Sequence, residues 1–190
     1  MQHPDLQAQP VELDKPGPTR AWVTEVLEAS EGQLVAALCL AGGFTPGGWE
    51  QTNTESVQRM IDLNFFTTFH LVQPLMRYFS DSPGHFQFVL ISSRAALQPS
   101  EGKGLIGYSL SKSMVLRLAE FINEDANQTG VQASVILPST LDTAATRAAM
   151  PEADFGNWVP TERVADTIHF ILSDAGHMQR NTVYRLYNRA

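Results

Sequence analysis

The chain is short of the features that would commit it to several large classes of protein. It has one cysteine in 190 residues, so no disulfide framework can hold it together. That residue, Cys39, lies inside the apolar run LVAALCL, where a thiol behaves as a small buried hydrophobe. Basic residues are few, 13 against 20 acidic ones, for a formal net charge of −7. No Lys/Arg run occurs, and a nucleic-acid partner, whose affinity comes from clustered cations, is not expected. No apolar stretch approaches the ~20 residues of a membrane span. The opening MQHPDLQAQP also lacks the apolar centre of a secretion signal. His70, His85, His169 and His177 are scattered without metal-ligand spacing, and no metal is expected. A reduced, cytoplasmic setting follows from these absences, and in it the sequon at Asn127 has no meaning.

What is present describes one globular domain over residues 1–190, with 43% apolar and 17% charged residues. Short apolar runs alternate with longer amphipathic ones. AQPVELD reads as a short strand over 9–13, and PTRAWVTEVLEASEG as a helix with Pro near its start and Gly after its end. LVAALCLAGG, FQFVLISS and VQASVILP are buried strands, and NTVYRLYN is a last one. Helices are expected at 53–79, with Pro74 as a kink or a late break, at 107–125 and at 161–173. Strand–helix alternation with near-continuous apolar strands marks a doubly wound parallel sheet, an α/β fold of the Rossmann-like type.

In such a sheet ligands bind beyond the carboxyl ends of the strands, which sorts the polar residues. AGGF, ISSR and LPSTLDT each follow a strand, so the three clusters should meet along one edge. YSLSK puts Tyr108 and Lys112 one helical turn apart on one face. A nearby ammonium favours the phenolate, bringing a tyrosine closer to proton exchange at neutral pH. The plain alternative is a helix-start tyrosine and an exposed lysine. Ser93, at a strand end upstream, has a hydroxyl that could hold a substrate oxygen beside Tyr108. Its neighbour Ser92 competes for that role, since adjacent strand residues point to opposite faces. Asn64, among apolar neighbours in DLNFF, is either a satisfied core amide or part of the site.

Together these residues resemble the short-chain dehydrogenase/reductase family, from about residue 9 to the C-terminus. CLAGG stands in place of the family's N-N-A-G, and PSTLDT in place of P-G-x-x-x-T, with Asn64, Ser93, Tyr108 and Lys112 between them. Within the family, LCLAGGF, AALQPSEGKGLIGYSLSK and VILPSTLDTAATRAAMPEADFGNWVP are similar to dihydropteridine reductases. The resemblance implies an NAD- or NADP-dependent oxidoreductase that reduces a cyclic imine or carbonyl such as quinonoid dihydropterin. It assigns Tyr108 as proton donor and Lys112 to lowering its pKa and holding the nicotinamide ribose. Asn64 would support a water-linked proton path, and Ser93 would orient substrate. Ala41, Gly42 and Gly43 would admit the cofactor closely, with Pro138, Thr140 and Thr143 flanking nicotinamide and pyrophosphate and Asp14 near the adenine. Phe155 and Trp158 would either cap a flat substrate or pack beneath their loop. Ser139 stands where the family's P-G has Gly, and Ser93, typical of the wider family, stands where the dihydropteridine reductases have a small apolar residue.

The family's opening strand, Gly-rich turn and helix, which receive the pyrophosphate, have no counterpart before Asp14. The expectation is a domain incomplete at its N-terminus, lacking the first two strands and first helix. The 9–13 strand would then either close up beside 34–41 or lie detached, leaving LVAALCLAG as an apolar edge prone to association. A small-molecule substrate is expected, with a homodimer or homotetramer formed through helices 53–79 and 107–125. The alternative function is a non-catalytic chain, either a truncated product or a dimerising partner, that cannot bind a dinucleotide.

Overall fold

The computed structural model describes residues 7–189. Helix α1 (Pro16–Ala29) leads to strand β1 (Ala36–Cys39), and α2 (Thr54–Ile61) runs through a π-helical segment (Asp62–Phe66) into α3 (Thr67–Asp81). Strand β2 (Phe86–Ile91) is followed by two short helices, α4 (Arg94–Leu97) and α5 (Pro99–Gly102), then the long α6 (Ile106–Glu124) and the single turn α7 (Ala126–Thr129). After β3 (Val131–Pro138) come β4 (Leu141–Asp142), α8 (Ala144–Ala149), β5 (Val159–Pro160), α9 (Thr161–Ile171), α10 (Asp174–His177) and β6 (Val183–Leu186).

The main sheet has the order β1-β2-β3-β6, with every neighbouring pair parallel. Its strands feed alternate residues to opposite faces, as the pleat requires. Phe86, Phe88 and Leu90 of β2 join Val131, Ala133, Val135 and Leu137 of β3 in the larger core, against Val72, Leu75 and Phe79 of α3 and Val115, Ala119 and Ile122 of α6. Val89 and Ile136 point the other way and pack on Ile171 of α9. Helices on both faces of a parallel sheet are the expected α/β architecture. β4 and β5 form a separate two-stranded parallel pair.

The sequence expectation fails at the first strand. Residues 7–12 form no strand, and the chain instead turns, with Lys15 N–H donating to Glu12 C=O at 2.9 Å. The Leu13 carbonyl meets His70 Nδ1 of α3 at 3.2 Å, so this stretch is tied to a helix rather than to the sheet. The physical reason is pairing: a strand is stable only with a neighbour. Among the described residues the outer edge of β1 has no partner. Leu38 is in register with Val89, hence on the α9 face, yet is 44% exposed. Pro74 sits inside α3 without ending it.

Candidate active site

Three chain segments meet where the parallel strands end. Beyond β1, residues 40–43 form a strap over the π-helical segment, and Asn64 is the residue that fastens it. Its Oδ1 accepts from Gly43 N–H, and its Nδ2 donates to Gly43 C=O, both at 3.0 Å. The same Nδ2 reaches Ser111 Oγ at 3.1 Å, and Ser111 Oγ donates to Tyr108 C=O at 2.8 Å. Asn64 is fully buried. A π-helical segment carries one more residue per turn than the ideal helix and often sits at a functional position; here it contains the amide. Of the two readings of Asn64, its bonds make it a satisfied amide that also spans strap and helix α6.

Beyond β2, the two serines separate as alternation demands. Ser92 is buried and donates to Lys112 C=O at 2.8 Å, holding α6 to the strand end. Ser93 caps α4 by accepting from Ala95 N–H at 3.3 Å, and its hydroxyl lies beside the Tyr108 phenol, where it favours the phenolate. Of the two serines, Ser93 is the one that stands beside Tyr108, and Ser92 holds α6 to the strand end.

Tyr108 and Lys112 share a face of α6 as their spacing requires. Burial raises the Tyr108 phenol above its ordinary value, and the bond from Ser93 partly lowers it. Lys112 makes no part of that shift. Its Nζ donates to Ile91 C=O at 3.0 Å, and burial pulls its own pKa down to about 8, because desolvation penalises the ammonium. A Cβ on Gly42 would stand 3.2 Å from that Nζ and 2.7 Å from Asn64 Oδ1. Glycine is required there by close approach, since only a bare backbone fits over the two side chains.

Two residues of the site carried no signal in the sequence beyond their position. Phe44, next after the strap glycines, packs edge-on against Tyr108 with ring centroids 5.0 Å apart, and is 59% exposed. Ser111 links Asn64 to the turn carrying Tyr108. Ala41 lies exposed on the strap.

Beyond β3, Pro138 ends the strand, the Thr140 carbonyl accepts from Val159 N–H at 2.8 Å, and Thr143 Oγ1 accepts from Thr146 N–H at 3.1 Å to start α8. Arg147 binds Asp142 in a two-bond fork, 2.6 and 2.8 Å, and lies over the Phe155 ring at 4.7 Å. Phe155 in turn contacts Trp158, ring centroids 4.8 Å apart. Trp158 is 6% exposed, and Asn188 Nδ2 donates to its carbonyl at 2.7 Å. Asp14 does not end a strand. It lies in the turn before α1, where its carboxylate meets Lys15 at 3.5 Å, so the placement that suggested an adenine contact is absent. A groove of about 430 Å³ between α1 and α3, lined among others by Arg20, His70 and Arg77, includes none of these site residues.

A parallel sheet with helices on both faces and polar clusters on its carboxyl edge defines a Rossmann-like α/β domain. The chain belongs to the short-chain dehydrogenase family, whose model matches residues 4–154. It is 29% identical over 152 residues to a dihydropteridine reductase of Dictyostelium discoideum, covering 77% of this chain and 62% of that one. It thus spans about three fifths of that reductase's length. The structure of a short-chain type dehydrogenase/reductase from Mycobacterium ulcerans superposes with a TM-score of 0.83 at 26% identity, over 95% of this chain and 68% of that one. A blue fluorescent protein from a metagenomic library, solved in complex with NADPH, shares the fold with a TM-score of 0.79 at 18% identity, over 95% of this chain and 74% of that one.

Proposed function

We propose that the chain is a cytoplasmic nicotinamide-dependent reductase that gives a proton from Tyr108 to a cyclic imine or carbonyl, with quinonoid dihydropterin the first substrate to test. The observation that carries this reading is the grouping of Tyr108, with Ser93 beside its phenol, one helical turn from the buried Lys112 ammonium that lies under the glycine strap. The similarity to the Dictyostelium reductase supports a pterin, and the NADPH complex of the metagenomic relative supports NAD or NADP.

The residues present suit the nicotinamide end of such a cofactor. Gly42 leaves a bare backbone above Lys112, and Gly43 one above Leu63; the ammonium, with one of its three donors used on Ile91 C=O, has others for ribose hydroxyls. Pro138, Thr140 and Thr143 stand along the same edge to flank it. The bound cofactor supplies the hydride.

The chain's own residues manage the proton. Burial keeps Tyr108 in its protonated form at neutral pH, as a donor must be. Once the proton has passed to the substrate nitrogen or oxygen, the phenolate is stabilised by the Ser93 hydroxyl. Asn64 and Ser111 are positioning residues that fix strap and tyrosine relative to each other. Phe44 offers an apolar ring beside the donor. Leu110 and Phe121, both over half exposed on α6, suit a homodimer or homotetramer through 53–79 and 107–125.

A second reading, a dimerising partner that does not bind a dinucleotide, is favoured by the open edge and exposed Leu38 of β1. Titration with NADH and NADPH, followed by cofactor fluorescence, separates the two. Saturable binding, with quinonoid dihydropterin reduction that falls roughly 100-fold or more in Tyr108→Phe while binding persists, is expected. No saturation by either cofactor at millimolar concentration overturns the reductase reading.

A further inference from the structure

Two histidines that sequence spacing sets apart meet in space. His85 Nε2 and His177 Nδ1 lie 2.9 Å apart although 92 residues separate them, and their rings cross at 71° with centroids 4.5 Å apart. Neither belongs to the carboxyl-edge site. His85 immediately precedes the amino end of β2, and His177 ends α10.

Both stand on backbone with little freedom. Gly84, before His85, donates to Thr129 C=O at 3.0 Å. It lies so close to Gly130, held at φ 74°, that a Cβ there would come 2.5 Å from Gly84 O. Gly176, before His177, is pressed on the end of α9, where a Cβ would come 2.1 Å from Phe170 O. Arg180 ties this corner to β3, donating to His177 C=O and to Gln132 Oε1, each at 2.7 Å. The imidazoles are thus offered by two anchored segments, and His85 is exposed to solvent.

We propose that His85 and His177 form a two-imidazole chelate for a divalent first-row transition ion of the copper or nickel type, completed by water. Metal–imidazole bonds of ~2.0–2.1 Å to nitrogens 2.9 Å apart close an angle of about 90°. That is the cis angle of tetragonal and octahedral sites, whereas a tetrahedral zinc site wants nitrogens about 3.3 Å apart. Affinity for nitrogen ligands also peaks at copper. Without metal the two nitrogens share one N–H···N bond. Chelation needs both facing nitrogens bare, so the donating ring moves its hydrogen to its own far nitrogen, His85 Nδ1 or His177 Nε2, while the accepting ring already has its hydrogen there, a tautomer exchange with no redox step. Among the described residues no cluster of three or more His, Cys, Asp or Glu converges, so the remaining coordination positions fall to water. The bound ion would clip α10 to the start of β2 and act on stability rather than on proton transfer at Tyr108.

The test is a Cu²⁺ titration of the full chain carrying His3→Ala, because a free amino terminus with histidine third chelates copper by itself. One ion per chain is expected, with an electron paramagnetic resonance spectrum showing two imidazole nitrogens and a Tm that rises on loading. His85→Ala and His177→Ala should each weaken binding at least tenfold and abolish the Tm rise, while His70→Ala binds as the parent does. His85→Asn, which keeps a polar side chain, serves as a second variant against misfolding. Weakening of less than tenfold in either histidine variant, or no saturable binding at millimolar Cu²⁺, overturns the proposal.

Discussion

Asn64 and Gly43 bond to each other in both directions, the side-chain amide matching the peptide as a second peptide would, with both contacts at 3.0 Å. Because the amide is fully buried, its loss leaves the strap's N–H and C=O without partners. Asn64→Leu should therefore destabilise the fold by roughly 2–4 kcal/mol, the cost of stranded polar groups. Asn64→Asp should cost a similar amount, since a carboxylate accepts from Gly43 N–H but cannot donate to its C=O. Urea unfolding measures both, and an unchanged midpoint in either would contradict the pairing.

Gly42 extends the same argument to size. Its φ is not left-handed, so alanine is allowed by the backbone, but the new Cβ would stand 2.7 Å from Asn64 Oδ1 and 3.2 Å from Lys112 Nζ. Gly42→Ala should cost about 1–3 kcal/mol by overpacking. In a double-mutant cycle with Asn64→Ala the two losses should add to less than their sum, because the smaller side chain removes the clash. Strict additivity would mean the strap is relieved elsewhere.

How far the sequence reached depended on whether an element's partners were local. Strand β3 has the expected bounds, 131–138, because all eight of its residues are buried and its apolar run is continuous. Helix α6 differs from its expected span by one residue at each end. The 9–13 segment reads like a strand, but a strand requires a neighbour, and sequence alone does not supply one. The short pair β4–β5 has two residues a side, too few for any periodicity. Asn64, Ser93, Tyr108 and Lys112 come together because each follows a strand or lies on a helix face of known register. Phe44 and Ser111 had no such marker. The burial of Trp158 is set partly by Asn188, 30 residues further on, and the histidine pair by segments further apart still.

Lys112 gives a pH dependence of stability. Its folded pKa is about 8 against an ordinary 10.5, so between those values the unfolded chain binds more protons and stability rises with pH. At ~1.4 kcal/mol for each tenfold change in proton affinity, the buried charge costs roughly 3 kcal/mol below pH 8. Lys112→Met should raise stability at pH 7 by about 1–3 kcal/mol and remove this contribution between pH 8 and 10.5. Unfolding curves at pH 7 and 9.5 for both proteins would show a gap that narrows; a constant gap would refute the burial of the charge.

The Tyr108 phenol should titrate above the ordinary tyrosine range, because burial outweighs the Ser93 hydrogen bond. The ultraviolet difference between the parent and Tyr108→Phe isolates this one ring from the other tyrosines. Ser93→Ala removes the side chain that lowers the phenol's pKa, so its titration should move further upward. A downward move would mean that Ser93 favours the neutral phenol and not the phenolate.

Phe44 and Trp158 divide the aromatic work of the site by burial. Trp158 is nearly enclosed and Phe44 mostly open, so their truncations should fail in different ways. Trp158→Ala should cost about 3–5 kcal/mol of stability, as for a large buried ring. Phe44→Ala should stay within ~1 kcal/mol of the parent, since an exposed side chain has little transfer energy to lose. The phenol of Tyr108, however, loses the edge-on ring that shields it, so its titration should shift back toward the ordinary value in Phe44→Ala and stay in place in Trp158→Leu. If instead Phe44→Ala unfolds the chain and Trp158→Ala leaves it intact, the open ring is the one that supports the loop, and the assignment of Trp158 to packing fails.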